Sequence, residues 1–199
     1  CASPYKTMNL SELLKDSAYK LTQFKPEQIA ALQTSITIKT TDKATTPYVT
    51  CLVRGKTIKL TPEEAVRQLY VMVLKDDLGY PVTRMELEYG VTFGREKKRA
   101  DICIFDKDKP TTPYILVELK KPKLKDGKEQ LKSYCNATGA PMGVWSNGEQ
   151  ISFYHRKDGS VASETVACDD APSRASQRVR KGDIITSTVR PIRRLSALV

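Results

Sequence analysis

Three charged residues set in apolar runs are the place where this sequence can do chemistry: Asp101, Glu118 and Lys120. Asp101 interrupts Arg99-Ala100-Asp101-Ile102-Cys103-Ile104-Phe105, and Glu118 and Lys120 fall near the end of Tyr114-Ile115-Leu116-Val117-Glu118-Leu119-Lys120-Lys121. Both runs have the alternation and β-branched content of strands. Side chains alternate along a strand, so Leu116, Glu118 and Lys120 share one face while Ile115, Val117 and Leu119 take the other. Asp101 faces away from Ala100 and Ile102 by the same rule. If the two strands are neighbours, the two acids and the amine meet. Paired carboxylates beside a lysine suit a hard divalent cation such as Mg²⁺, which takes oxygen ligands and keeps waters for a phosphate-bearing substrate. The lysine would then orient the attacking water or help deprotonate it. A surface salt bridge would account for Glu118 and Lys120 alone. An acid in one strand, the Glu-x-Lys element closing the next and a helix after it favour a site.

The elements that must position these residues follow from the flanking sequence. Arg84 to Phe93 reads as the preceding strand, with Glu86 and Glu88 on one face and Leu87, Tyr89 and Val91 on the other. A charged turn from Gly94 to Lys98 leads into the Asp101 strand, so the hairpin brings Glu88 toward Asp101 as a further acid on the metal side, or leaves it on an exposed polar face. Lys121 to Lys128 is a basic loop, solvated by default and placed to touch phosphate beside the acids. Glu129 to Thr138 has helical spacing, with Gln130 and Tyr134 on one face and Leu131 and Cys135 toward the core, and Gly139-Ala140-Pro141 ends it. Met142 to Ser146 and Gln150 to Tyr154 read as strands joined by a two-residue turn at Asn147-Gly148, with Trp145 as packing.

Upstream, Leu10 to Lys20 reads as a short helix with Leu13, Leu14 and Tyr19 on its apolar stripe, and Pro26 opens a second helix running toward Leu32. Ile36 to Lys39 and Tyr48 to Val53 read as strands. Thr61-Pro62-Glu63-Glu64 is a strong helix start: Thr61 caps, Pro62 takes the first position and Glu64 is the capping-box partner. Val66, Leu69, Tyr70 and Val73 recur at helical spacing, and Gly79-Tyr80-Pro81 stops the helix. Glu63 and Glu64 are explained as first-turn acids favoured by the helix dipole, which leaves them outside the site.

Composition narrows the partners. Lysine and arginine give a net charge of +10 and a pI near 9.4, which favours a polyanion and, beside a metal site, nucleic acid. No apolar run approaches the length that spans a bilayer, and the first residues lack a signal-peptide pattern. The five cysteines are scattered without a Cys-x-x-Cys pair and His155 is the single histidine, so a zinc site or a histidine-based nucleophile is disfavoured and reduced thiols of a cytoplasmic protein are expected. His155 reads as a histidine near solvent at the edge of the sheet. Residue 1 is Cys rather than Met, which fits a piece of a longer protein. No Gly-x-x-x-x-Gly-Lys-Ser/Thr phosphate loop occurs, so no ATPase motor is expected in this chain.

Taken together, residues from about 25 to 157 resemble the N-terminal nuclease domain of type I restriction subunits and related single-chain restriction–modification proteins. The resemblance is carried by Thr61-Pro62-Glu63-Glu64-Ala65-Val66-Arg67-Gln68-Leu69, Glu88-Tyr89-Gly90-Val91, Arg99-Ala100-Asp101-Ile102, Val117-Glu118-Leu119-Lys120-Lys121-Pro122, Gln130-Leu131-Lys132-Ser133-Tyr134 and Ser146-Asn147-Gly148. Asp101 with Glu118-Leu119-Lys120 is similar to the signature of the PD-(D/E)xK nuclease superfamily, and Gln130 with Tyr134 to the QxxxY motif of its RecB-type members. This implies an α/β fold of the restriction-endonuclease type: a mixed central sheet flanked by helices, in a nuclease domain over 25–157, with an N-terminal extension over 1–24 and a basic C-terminal segment over 158–199. It also implies Mg²⁺-dependent hydrolysis of DNA phosphodiesters. Asp101 and Glu118 would hold the metal, Lys120 would assist the water, and Gln130 and Tyr134 would position the site or touch the DNA backbone. Methylation and specificity modules would be its partners. Lys181 to Pro191 resembles a strand pair from the target-recognition domain of type I specificity subunits, the other reading being a basic tail that binds DNA through charge. Two further readings stand beside the endonuclease: a non-catalytic DNA-binding subunit, and a repair or recombination nuclease of the same superfamily.

Overall fold

A computed structural model describes residues 8 to 198 apart from 42–43, 94, 125, 158–159, 168–183 and 187–194. Helices α1 (Leu10–Leu14) and α2 (Pro26–Ser35) lead into strands β1 (Thr37–Thr41), β2 (Ala44–Thr50) and β3 (Thr57–Lys59). Helix α3 (Pro62–Met72) follows, then β4 (Met85–Phe93), β5 (Glu96–Phe105), β6 (Pro113–Leu119), α4 (Lys128–Thr138), β7 (Met142–Ser146), β8 (Gln150–Lys157) and β9 (Ser160–Ala167). A short antiparallel pair, β10 (Ile184–Thr186) and β11 (Leu195–Leu198), comes last.

Strands β4 to β9 form one six-stranded sheet in sequence order. Only β6 and β7 run parallel in it, because α4 carries the chain back between them; the other neighbours are antiparallel. The sheet is therefore mixed, as expected. Its two faces bury separate apolar clusters. Ile102, Ile104, Ile115 and Val117 join Leu69, Val73 and Leu74 on the side of α3, whereas Cys103, Leu116 and Trp145 meet Leu131, Tyr134 and Cys135 of α4 on the other. Strands β1 to β3 form a separate antiparallel sheet, and Val49 and Cys51 at its end join the first cluster.

Several local expectations change. The first helix ends at Leu14 rather than Lys20, because Ser17 Oγ donates to the Leu14 carbonyl and Ala18 takes φ +61°. Thr61 does cap α3 through the Glu64 N–H, but the Glu64 carboxylate spends its two oxygens on Arg67 and Gln68 instead of completing a capping box. Beyond Met72 that helix widens into one π-type turn, Val73–Asp77, with the Leu78 N–H on the Val73 carbonyl. Between β7 and β8 the turn is longer than two residues: Gly148 alone is left-handed, and Asn147 Oδ1 accepts from the N–H groups of Glu149 and Gln150. Strand β9, in the stretch read as an appendage, pairs along β8, so His155 lies in an inner strand rather than at the sheet edge.

The β4–β5 hairpin departs most from simple alternation. Glu88 adopts φ +55°, and the facing of both strands slips at the level of Glu88 and Asp101. Leu87 and Ile102 pack in the first cluster, while Tyr89, Val91 and Ala100 pack in the second. The expectation that Leu87, Tyr89 and Val91 share a face therefore fails at one left-handed residue, and the outer half of the hairpin folds over onto α4.

Candidate active site

The register of β5 and β6 pairs Ile102 with Val117, and one step further the two strands bring Asp101 to Glu118. The Leu119 N–H donates to Asp101 Oδ2 over 2.8 Å. Lys120 Nζ lies 2.8 Å from Glu118 Oε1. Asp101, Glu118 and Lys120 thus stand together where β6 ends, and the Lys120 N–H on the Ser146 carbonyl, 2.8 Å, ties that end to β7.

Glu118 is the least solvated member of the group. Its side chain is 4% exposed, and Oε2 is buried without a hydrogen-bond partner. Burial pushes its carboxyl up to about 7; the charge of Asp101 adds to this, and the Lys120 hydrogen bond opposes it. Burial pulls the Lys120 amine down, but the hydrogen bond and charge of Glu118, with Asp101 and Asp126, outweigh it and leave the amine above its ordinary value. Lys120 is a cation here.

The lysine is also held mechanically. Gly127 sits at φ +86°, and a Cβ there would lie 2.5 Å from Lys120 Cε and 3.4 Å from Trp145 Nε1. The loop that carries this glycine is strapped to β7: the buried Trp145 indole donates to the Asp126 carbonyl at 2.9 Å, and the Asn147 amide to the Leu124 carbonyl at 2.8 Å. Lys121 pairs with Glu63 at 3.1 Å, joining the loop to the start of α3.

Helix α3 contributes what the sequence reading left out. Arg67 donates to Glu64 Oε2 at 2.5 Å through one terminal nitrogen and to Asp101 Oδ1 at 2.9 Å through the other, while its Nε is buried without a partner. Gln68 Nε2 donates to Glu64 Oε1 at 2.7 Å. Tyr19 lies close enough that, after burial itself, the charges of Glu63 and Asp101 raise its phenol to about 12. The sequence signal was present: Glu64, Arg67 and Gln68 recur at i, i+3 and i+4, a polar stripe on a helix that is otherwise buried.

The other predicted residues have clear places. Gln130 Nε2 donates to the hydroxyl of Tyr134, and that tyrosine is buried within electrostatic reach of Glu118, Lys98 and Lys120. Glu88 pairs with Arg54 at 2.8 Å and is 38% exposed, with its carboxyl held below the usual range chiefly by that hydrogen bond. Its field reaches Arg67.

For a metal, the donor set is two carboxylates. Glu118 Oε2 lacks a partner, and each Asp101 oxygen keeps a lone pair beyond the one taken by Arg67 or Leu119. Among the described residues no group of three His, Cys, Asp or Glu side chains is arranged to hold a metal ion. A hard cation that completes its shell with waters and phosphate oxygens fits this pair; a metal needing an all-protein cage does not.

A sequence model of the family described as type I restriction enzyme R protein N terminus matches residues 62–172. The chain belongs to that family. The matched span of this R-protein N terminus runs from the first turn of α3 past the end of β9, and so contains Glu64, Arg67, Gln68, Asp101, Glu118, Lys120, Gln130 and Tyr134, but not Tyr19 or Arg54. No curated protein and no solved structure matches the chain. The resemblance of Lys181 to Pro191 to a specificity subunit finds no support: the match ends before it, and β10 inside that stretch pairs with β11 outside it. Among the described residues no helix is long and apolar enough to cross a membrane.

Proposed function

We propose that this chain is the Mg²⁺-dependent DNA endonuclease domain of a restriction–modification system, with the PD-(D/E)xK arrangement at Asp101, Glu118 and Lys120. The observation that carries it is the buried, unpartnered Glu118 Oε2 beside Asp101, with a lysine cation on the other Glu118 oxygen. Such a group is costly to fold unless a cation completes it.

Asp101 and Glu118 would hold the metal, which when bound supplies Lewis-acid polarisation of a phosphodiester. Lys120 orients the attacking water and offsets charge on the phosphate, a task suited to an amine that stays protonated. Gln130 and Tyr134 steady the side of the site that faces α4. The protein's share is positioning and electrostatics. Methylation and specificity modules are the expected partners, in the cytoplasm.

The test is cleavage of supercoiled plasmid with Mg²⁺ or with chelator, comparing wild type, Asp101→Ala and Lys120→Ala while DNA binding is followed in parallel. The reading holds if wild type nicks only with metal and both variants bind without cutting. Binding without cutting by wild type under every divalent metal overturns it in favour of a DNA-binding subunit.

A further inference from the structure

Four of the five residues from Arg95 to Arg99 are basic, and all five are exposed. This is the tip of the β4–β5 hairpin. Because the strands slip in facing at Glu88 and Asp101, the tip does not extend the sheet into solvent; it is carried over α4, with Val91 and Ala100 packed in the cluster of Leu131, Tyr134 and Cys135.

The register shows where its cations go. Lys98 lies opposite Val91, and directly opposed residues of an antiparallel pair share a face, so Lys98 leaves on the α4 side. Its charge is felt by the Tyr134 hydroxyl. Lys97 and Arg99 lie opposite Thr92 and Gly90 and leave on the other face, where Arg99 acts on Glu88. The arm thus presents cations on both of its faces, two residues from Asp101 and beside the Gln130–Tyr134 pair. Lys98 meets Glu96 at 2.9 Å, but both are well exposed and that pair gives way readily to a phosphate. A stable core has no use for such a row; a polyanion does.

We infer that the outer half of the β4–β5 hairpin is a clamp for the sugar–phosphate backbone of duplex DNA, in which Lys97, Lys98 and Arg99 hold the strand whose phosphate enters the site. This rests on the proposed DNA substrate. The arm reads charge and not sequence.

The experiment is fluorescence anisotropy of a labelled 20-base-pair DNA duplex in chelator, titrated from low to high salt, so that binding is followed without cleavage. Wild type is compared with Lys97→Ala, Lys98→Ala, Arg99→Ala and the triple variant. The control is Lys107→Ala with Lys109→Ala, two cations beyond the other end of β5. Each arm substitution is expected to weaken binding and to reduce the slope of log affinity against log salt by about 1. The triple variant is expected to lose roughly 3 from the slope, and Lys98→Arg to keep it. The inference is overturned if the triple variant changes the slope no more than the control pair does, or if the arm variants lose an RNA duplex and not DNA. Because no metal is present, loss of binding in the arm variants supports the clamp even where wild type proves unable to cut. Unchanged binding beside metal-dependent cutting removes the clamp and leaves the endonuclease reading intact.

Discussion

Arg67 reaches Asp101 at 2.9 Å across a sequence separation of 34 residues, and the same guanidinium holds Glu64. One planar cation therefore joins helix α3 to the strand that bears the acid. The second partner of Asp101 is a backbone donor, the Leu119 N–H, so the carboxylate is gripped from the helix and from the next strand at once. That arrangement sets the orientation of Asp101 before any metal or substrate arrives.

Arg67→Ala leaves the carboxylates of Glu64 and Asp101 without their shared cation, in side chains that are 10% and 20% exposed. Breaking such a pair from one side is expected to cost roughly 3 kcal/mol. Urea denaturation with chelator present measures it. Arg67→Lys should recover little, because an ammonium cannot supply two parallel arms to two acids; recovery to wild-type stability would mean that charge alone matters.

Glu118 makes stability depend on pH in the unusual direction for an acid. Burial raises its carboxyl from 4.5 in the ordinary state to about 7 in the fold, so the folded chain binds more protons there than the unfolded chain between those values. The contribution is fully present below about pH 4.5 and is lost as pH rises through 7. Relative to Glu118→Gln, wild type should therefore lose on the order of 3 kcal/mol between pH 4.5 and pH 8 in chelator. Thermal melts of both proteins across this range decide it; parallel curves contradict it.

Mg²⁺ should act against that loss. A cation that binds only the folded chain through Asp101 and Glu118 raises Tm by mass action, and needs the ionised carboxyl. The upward shift of Tm with added Mg²⁺ is expected to be larger at pH 8 than at pH 5, and absent in Asp101→Ala. An equal shift in that variant would place the cation elsewhere.

Gly127→Ala tests how Lys120 is held. The new methyl group would meet Lys120 Cε at 2.5 Å, on a backbone at φ +86° that an L-residue adopts with strain. A stability cost of about 1–2 kcal/mol is expected from the backbone. Cleavage should fall at least tenfold while duplex affinity in chelator stays unchanged. Trp145→Phe, which removes the indole donor to Asp126 along with part of a buried ring, should move cleavage in the same direction by less.

Cys103 and Cys135 are buried in the cluster under α4, and burial pushes both thiols up to about 12. In a variant with Cys1, Cys51 and Cys168 changed to Ser, a thiol reagent at pH 8 should label the native protein slowly, at a rate set by opening of the fold, and rapidly in urea. Fast labelling of the native state would show that α4 detaches from the sheet.

The amino-acid order alone was enough for whatever depends on neighbours a few positions apart. Alternation assigned Glu118 to the face of Leu116 and away from Val117, the Thr-Pro-Glu-Glu start located α3, and spacing put Gln130 beside Tyr134, because period and capping are local properties of the backbone. What depended on a single backbone torsion or on a partner far along the chain could not be read that way. Glu88 carries no signal in its type that it will adopt φ +55°, yet that torsion reverses the facing of Tyr89 and Val91 and turns the basic tip over α4. Glu64 looked complete as a helix cap, and only the packing of α3 against β5 converted it, with Arg67, into part of the acid cluster. A polar stripe on a helix states that something polar will be buried. Which acid meets it is chosen by how the helix docks on the sheet, a matter of core packing rather than of sequence spacing.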